Sequence, residues 1–233
     1  MRRFAGALVL LTTLAADLTA WAQGRPVPRT ILALYDGELD TDIRFTQIHK
    51  IAEMPLNHLG IVVAYHDLRK PLPSDRELEG VRGALAWFSG DVMPNPLAFA
   101  EWAHRFIDGG RKLVMIGGLG MANDRRGKAT PIEVTNGVLQ RIGLRFDDRH
   151  GEFTQDVRVV RKDRAVLDFE AVLPRQLPAY DRIVKIEPRT HAHLILREGS
   201  DIASDATLIS THPNGGMVVG DFVHRGDPNT QIK

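Results

Sequence analysis

The 233-residue chain contains no cysteine. That single absence removes thiol nucleophiles, disulfide bridges and thiolate metal centres together. An excess of one charge is also lacking, because 30 Lys and Arg stand against 29 Asp and Glu. A near-neutral chain has no global field to gather nucleic acid or an anionic membrane, so neither is expected as a partner. Arg125, Arg126 and Lys128 form a small basic group that reads as a solvated loop. Beyond the N-terminus no run is apolar for long enough to span a bilayer. Several catalytic signatures are missing as well. There is no helical H-E-x-x-H and no G-x-S-x-G elbow. A dinucleotide fingerprint fails because Asn123 stands where the third glycine after Gly118 and Gly120 belongs. A phosphate loop fails because Gly127-Lys128 is followed by Ala129.

The N-terminus is the most explicit positive signal. Arg2 and Arg3 are followed by an almost wholly apolar stretch from Phe4 to Ala16, then by Ala20-Trp21-Ala22. Positive, apolar and small-x-small segments in that order describe a cleavable secretory signal over residues 1–22, with Gln23 as the mature N-terminus. The apolar stretch is too short for an anchor, and Asp17 interrupts its end. The expected location is therefore periplasmic or extracellular, with no stable membrane insertion after cleavage. At the other end, Thr230-Gln231-Ile232-Lys233 follows directly on a loop, as in a piece of a longer multidomain protein.

After a Pro/Gly lead-in, short apolar runs alternate with helical patterns. Residues 31–35, 61–65, 83–88 and 112–116 read as buried strands. Between them, apolar residues at 43, 48, 51, 52 and 54 have roughly helical spacing, disturbed by Pro55. A short helix is expected from Ser74. The clearest helix opens with Asn95-Pro96, carries Leu97, Phe99, Ala100, Trp102, Ala103, Phe106 and Ile107 on one face, and stops at Gly109-Gly110. Residues 132–142 give another helix, stopped by Gly143. This succession predicts an α/β fold: a parallel sheet with helices on both faces over residues 29–145. Residues 150–233 read as a β-rich extension that completes or flanks the sheet. Its expected strands lie at 157–160, 165–169, 191–196, 206–210 and 217–223, with a hairpin turn at Asn214-Gly215-Gly216.

Open parallel sheets bind ligands at the carboxyl ends of their strands. Four loops fall there, and they nominate Asp36, Glu38, His66, Asp67, Ser89, Asp91, Gly117, Gly118 and Gly120 as ligand-binding candidates. Carboxylates and exposed amides on such a rim suit a polar ligand, and Tyr65 or Trp87 would offer a ring to a sugar face. The plainer alternative is that Asp, Ser and Gly only turn the chain. His191 and His193 lie two apart on an expected strand and share a face, so with His66-Asp67 and His212 they are the candidates for a His/carboxylate metal site. Their distance in sequence from the rim argues against that use. The reading adopted has no metal, no cofactor and no assigned catalytic residue.

The runs Gly83-Ala-Leu-Ala-Trp-Phe-Ser-Gly90 and Asp108-Gly-Gly-Arg-Lys-Leu-Val-Met-Ile-Gly-Gly-Leu-Gly120, with the helix between them, resemble the class I glutamine-amidotransferase-like, flavodoxin-like fold. Catalytic members carry a nucleophilic cysteine in G-x-C-x-G; here Gly118 stands at that place, so the resemblance implies the fold without the amidotransferase chemistry. Residues 53–67, Glu-Met-Pro-Leu-Asn-His-Leu-Gly-Ile-Val-Val-Ala-Tyr-His-Asp, are similar to domains that accompany polysaccharide deacetylase or glycoside hydrolase domains in exported Pel-type exopolysaccharide proteins. That similarity implies a non-catalytic, exported domain in exopolysaccharide processing, binding a polysaccharide or a partner carbohydrate-active domain. The alternative is a carbohydrate-active hydrolase or deacetylase using a His/Asp site.

Overall fold

Apolar side chains alternate between the two faces of each central strand, and this alternation builds two cores. The computed structural model describes residues 27–151, 157–167 and 180–220; the expected signal peptide lies outside them. Its main sheet has eight strands: β1 (Thr30–Tyr35), β2 (Val62–Asp67), β3 (Val81–Phe88), β5 (Lys112–Gly117), β8 (Val157–Lys162), β10 (His191–Glu198), β11 (Ala206–His212) and β12 (Gly215–Val219). The order is β2-β1-β3-β5-β12-β11-β10-β8. The first five strands are parallel, and β11, β10 and β8 follow by antiparallel pairing. The four expected strands are thus adjacent and parallel, and the second half of the chain extends the same sheet.

On one face Leu32, Leu34, Ala84, Ala86, Leu113 and Met115 meet α2 (Pro96–Asp108), α3 (Ile132–Arg141) and a ribbon of β7 (Leu144–Gly151) and β9 (Tyr180–Lys185). Phe99 and Phe106 are almost fully enclosed there, each contributing about 2 kcal/mol by burial. On the other face Ala33 and Leu85 meet Ile48, flanked by Ala52 and Leu56. The start of α2 is fixed by Asn95, whose side chain accepts from the Ala98 amide at 3.1 Å, with Pro96 in the first turn. Two short strands, β4 (Val92–Met93) and β6 (Asn123–Asp124), pair above the sheet. Among the described residues no helix is long and apolar enough to cross a membrane.

Several expectations need correction. The helix expected over residues 43–54 is split. Ile43–Phe45 is a single 3-10 turn, and Thr46 then bonds both ways, donating to the Ile43 carbonyl at 2.7 Å and accepting from the His49 amide at 3.1 Å. The next helical segment runs as a π-helix over Ile48–Glu53 and as α1 over Met54–His58. Pro55 sits in the first turn of α1, where the missing amide is tolerated. No helix forms at Ser74. Its amide and hydroxyl bond the Glu77 carboxylate, but the chain only turns before Gly80 enters the left-handed region at φ +78°. The strand expected at 165–169 begins instead as a helical turn, Arg164–Leu167, because the Asp163 carboxylate accepts from the Ala165 amide at 3.0 Å and caps it; residues 168 and 169 lie outside the described residues. The last strand covers 215–219, and 221–223 are outside as well.

Candidate active site at the carboxyl ends of the strands

Successive connections leave β1 in opposite directions, to β2 on one side and eventually to β3 on the other. The crevice beyond the carboxyl ends of β1 and β3 is therefore the switch point where this fold class holds ligands. The four nominated loops do meet at this rim, but they are not equivalent.

Asp67 is buried and already saturated. Its carboxylate accepts from the Gly37 amide at 3.2 Å, the Arg69 amide at 2.9 Å and the Arg69 guanidinium at 2.6–3.1 Å. The hydrogen bonds from Arg69 hold its carboxyl down at about 2. Asp67 is thus a strut between the β1 and β2 loops. Asp36 and Glu38 both pair with Arg125, which reaches back from the loop after β6. Burial pushes the Asp36 carboxyl up, against the pull of Arg125. His66 is half-buried, and desolvation lowers its pKa. Ser89 is exposed on the turn after β3. Neither proposed sugar platform faces the rim: Tyr65 donates to Glu53 at 2.8 Å, and Trp87 packs into the second core.

The glycines after β5 answer to packing. Gly117 has φ +95°, and a Cβ there would lie 2.0 Å from the Phe88 carbonyl oxygen. At Gly120, φ is +70° and a Cβ would strike the Phe88 ring at 2.4 Å. Gly118 is different in kind. A Cβ there would come within 2.9 Å of both Asp91 Oδ1 and the Gly90 carbonyl oxygen. The place that a nucleophile's side chain would need is taken by a carboxylate.

That carboxylate belongs to the best-formed polar group of the rim. Asp91 Oδ1 accepts from the Leu119 amide at 3.2 Å. Asp181, at the start of β9, lies near the same amide and feels the negative charge of Asp91. Opposite Asp181 in the β7–β9 register lies His150, whose Nδ1 is 3.0 Å from Asp181 Oδ1. The β7 strand is irregular between Phe146 and His150, with Asp148 at φ +61°. Such bulges re-aim side chains beside functional sites. Asp181 is buried, and desolvation first, then Asp91, raises its pKa. His150 is mostly exposed. Two neighbouring carboxyl groups, one with its pKa raised by burial and by the charge of the other, can accept hydrogen bonds from hydroxyls and exchange a proton.

Asp181 and His150 were missed by sequence reasoning. Asp147-Asp148-Arg149 masks the apolar alternation of β7 after Phe146, and Asp181 is separated from Asp91 by 90 positions. His191 and His193 lie at the other end of the sheet. Within β10 they are near its start, beside the amino ends of β5 and β12. Neither His66 nor His212 joins them; His212 pairs with Glu187 and accepts from the Asn214 amide at 3.1 Å.

No family model matches the chain, and no curated protein matches it. Solved structures are similar over most of its length. A cytoplasmic protein from Salmonella typhimurium is 13% identical, with 83% of this chain and 87% of that one covered and a TM-score of 0.49. A β-galactosidase from Bacillus circulans sp. alkalophilus is 11% identical at a TM-score of 0.47 over 81% of this chain, which spans only 28% of the enzyme. A glutamine amidotransferase from Thermotoga maritima is 12% identical at a TM-score of 0.42, covering 82% of this chain and 74% of that one. At such identities these likenesses lend the chain no function; its architecture is mixed α/β, with a mainly parallel sheet and a β-rich C-terminal part.

Proposed function

We propose that this chain is an exported domain with an amidotransferase-like fold that binds a polyhydroxylated ligand, a cell-surface polysaccharide, at the rim of its sheet. The observation that carries this reading is a polar group in which Asp91 accepts from the Leu119 amide, Asp181 lies close enough to feel the Asp91 charge, and His150 pairs with Asp181. Sugar hydroxyls are donors and acceptors at once, and a carboxylate, a carboxyl of raised pKa and an imidazole serve both functions. Amidotransferase chemistry is not part of the proposal. The chain has no cysteine, and Asp91 occupies the space a side chain at Gly118 would need.

A second reading draws on the raised pKa of Asp181. A carboxyl of raised pKa next to a second carboxylate is the arrangement of an acid/base pair, so a hydrolase acting on carbohydrate follows from the same residues. Asp181 would deliver the proton and Asp91 would stabilise positive charge or orient water. Calorimetric titration with neutral, N-acetylated and de-N-acetylated polysaccharides separates the readings when reducing ends are assayed in parallel. Binding without cleavage, weakened at least about tenfold in Asp91→Asn by loss of a charged hydrogen-bond partner, supports the binding domain. Cleavage lost in Asp181→Asn supports the hydrolase. No binding to any polymer, or binding unchanged in both variants, removes the rim from consideration.

A further inference from the structure

We propose that Asp163, His191 and His193 form a divalent transition-metal site, of the zinc type, that staples the outermost strand of the sheet to its neighbour. One carboxylate oxygen of Asp163 lies 3.0 Å from His191 Nε2 and 2.8 Å from His193 Nδ1. The three candidate ligand atoms all fall within 4.8 Å of one another. In a tetrahedral site with bonds near 2.0–2.1 Å, neighbouring ligand atoms stand roughly 3.3 Å apart. The two carboxylate–imidazole distances are within a few tenths of an ångström of that spacing, and the two imidazole nitrogens, within 4.8 Å of each other, would close on an ion as it enters.

The surroundings fit that use. The Asp163 amide donates to the His193 carbonyl at 2.8 Å, so the backbone already fixes the end of β8 against β10. His193 Nε2 is 2.8 Å from Thr211 Oγ1 on β11. With Nδ1 committed to a metal, the Nε2 proton is donated to that hydroxyl. This is the outer contact that sets the tautomer and ring orientation of a ligating histidine. His193 is buried and rigidly placed, whereas His191 is half-exposed and leaves the fourth position open to water. Arg161 is the charged neighbour on β8; its guanidinium is 3.4 Å from His191 Nε2, on an exposed side chain that solvent takes up when a cation enters.

Zinc is favoured over calcium or magnesium because two imidazoles and one carboxylate are borderline donors. The role is structural. β8 is the edge of the sheet and exposes Val159 and Val160, and the chain has no cysteine with which to pin that edge. The site lies at the opposite end of the sheet from the rim, so it is independent of the polysaccharide reading.

The test uses the untagged mature chain, freed of metal with chelator and titrated with Zn2+ and Co2+ alone. The expected result is one ion per chain, with Co2+ giving the intense visible absorption of a four-coordinate site. Hydrogen exchange of the β8 amides slows on binding, while β1, β2 and β3 are unchanged. Asp163→Asn and His191→Ala each abolish stoichiometric binding, and Thr211→Val weakens it by about 10–100-fold. His191→Ala is the decisive variant because its half-exposed side chain can be removed without opening the core; circular dichroism confirms its fold. Absence of stoichiometric binding by the wild-type chain, or full binding by folded His191→Ala, overturns the proposal.

Discussion

Replacing Gly118 by cysteine puts a thiol at the place where the sequence resemblance would put a nucleophile. Here the new side chain enters occupied space, with its Cβ 2.9 Å from Asp91 Oδ1 and 2.9 Å from the Gly90 carbonyl oxygen. The carbonyl is backbone and does not yield, so the Asp91 carboxylate must swing away. It then loses its 3.2 Å bond from the Leu119 amide. A hydrogen bond to a charged group is worth about 1.5–3 kcal/mol. At roughly 2–4 °C per kcal/mol for a chain of this size, the melting temperature should fall by about 3–12 °C. If Asp91 contacts the ligand, the same loss lowers polysaccharide affinity by about 10–150-fold. The thiol itself is predicted to be sluggish. A carboxylate beside it disfavours the thiolate, so its alkylation by iodoacetamide at pH 8 should be slower than that of a free cysteine. No glutaminase activity should appear. Scanning calorimetry, the binding titration and an alkylation time course measure these effects on one sample. A variant that melts with the wild type, binds as the wild type and alkylates faster than free cysteine would refute the geometry proposed for this corner.

Other predictions follow from the same contacts. Gly117→Ala combines a left-handed φ with a contact against the Phe88 carbonyl, and should cost more than the roughly 1–2 kcal/mol of the backbone term alone, read as the shift of a urea melt. Asp181 has a raised folded pKa, so the stability from its proton is full below the unfolded carboxyl value and is lost as pH rises through the folded one. Asp181→Asn should therefore gain on the wild type as pH increases through that window, measured by chemical denaturation from pH 4 to 8. Asp67 behaves oppositely. Its pKa is lowered to about 2, chiefly by Arg69, so its contribution is present above the unfolded value and disappears between roughly pH 4 and 2, while Asp67→Asn should show a flatter acid limb there. Export predicts that secreted material begins at Gln23; N-terminal sequencing that finds Met1 on the exported protein contradicts the signal-peptide reading.

The parallel half of the fold was legible because its signals are local. Ile31–Tyr35 and Lys112–Ile116 are apolar runs bounded by turns, and Asn95-Pro96 with Gly109-Gly110 brackets a helix at both ends. The errors arose where a side chain competes with the periodic pattern. Thr46 bonds the backbone in two directions and splits one helix, and Asp163 caps a helical turn where apolar residues suggested a strand. The rim was found as a place, since Asp36, Asp67 and Asp91 all lie at strand ends. Which of them is available was not legible, because Arg69 and Arg125 take up two of these carboxylates through contacts that spacing does not reveal. Asp181, which feels the charge of Asp91, and His150, which pairs with Asp181, come from a ribbon about 90 and 60 residues downstream of Asp91. Asp163 likewise could not be joined to His191 and His193 until the pairing of β8 with β10 was known.

The central claim is that Asp91 and Asp181 sense one another and together meet the ligand. NMR titration of the aspartate Cγ resonances, in the wild-type chain and in Asp91→Asn, tests it most directly. Asp181 should titrate with a pKa raised from that of a free aspartate, and that pKa should fall in Asp91→Asn as the neighbouring charge is removed. Addition of a bound polysaccharide should shift both resonances in the wild type while leaving Asp67 in place. Titration of Asp181 in the ordinary range, unchanged by Asp91→Asn and indifferent to the polysaccharide, would contradict the account.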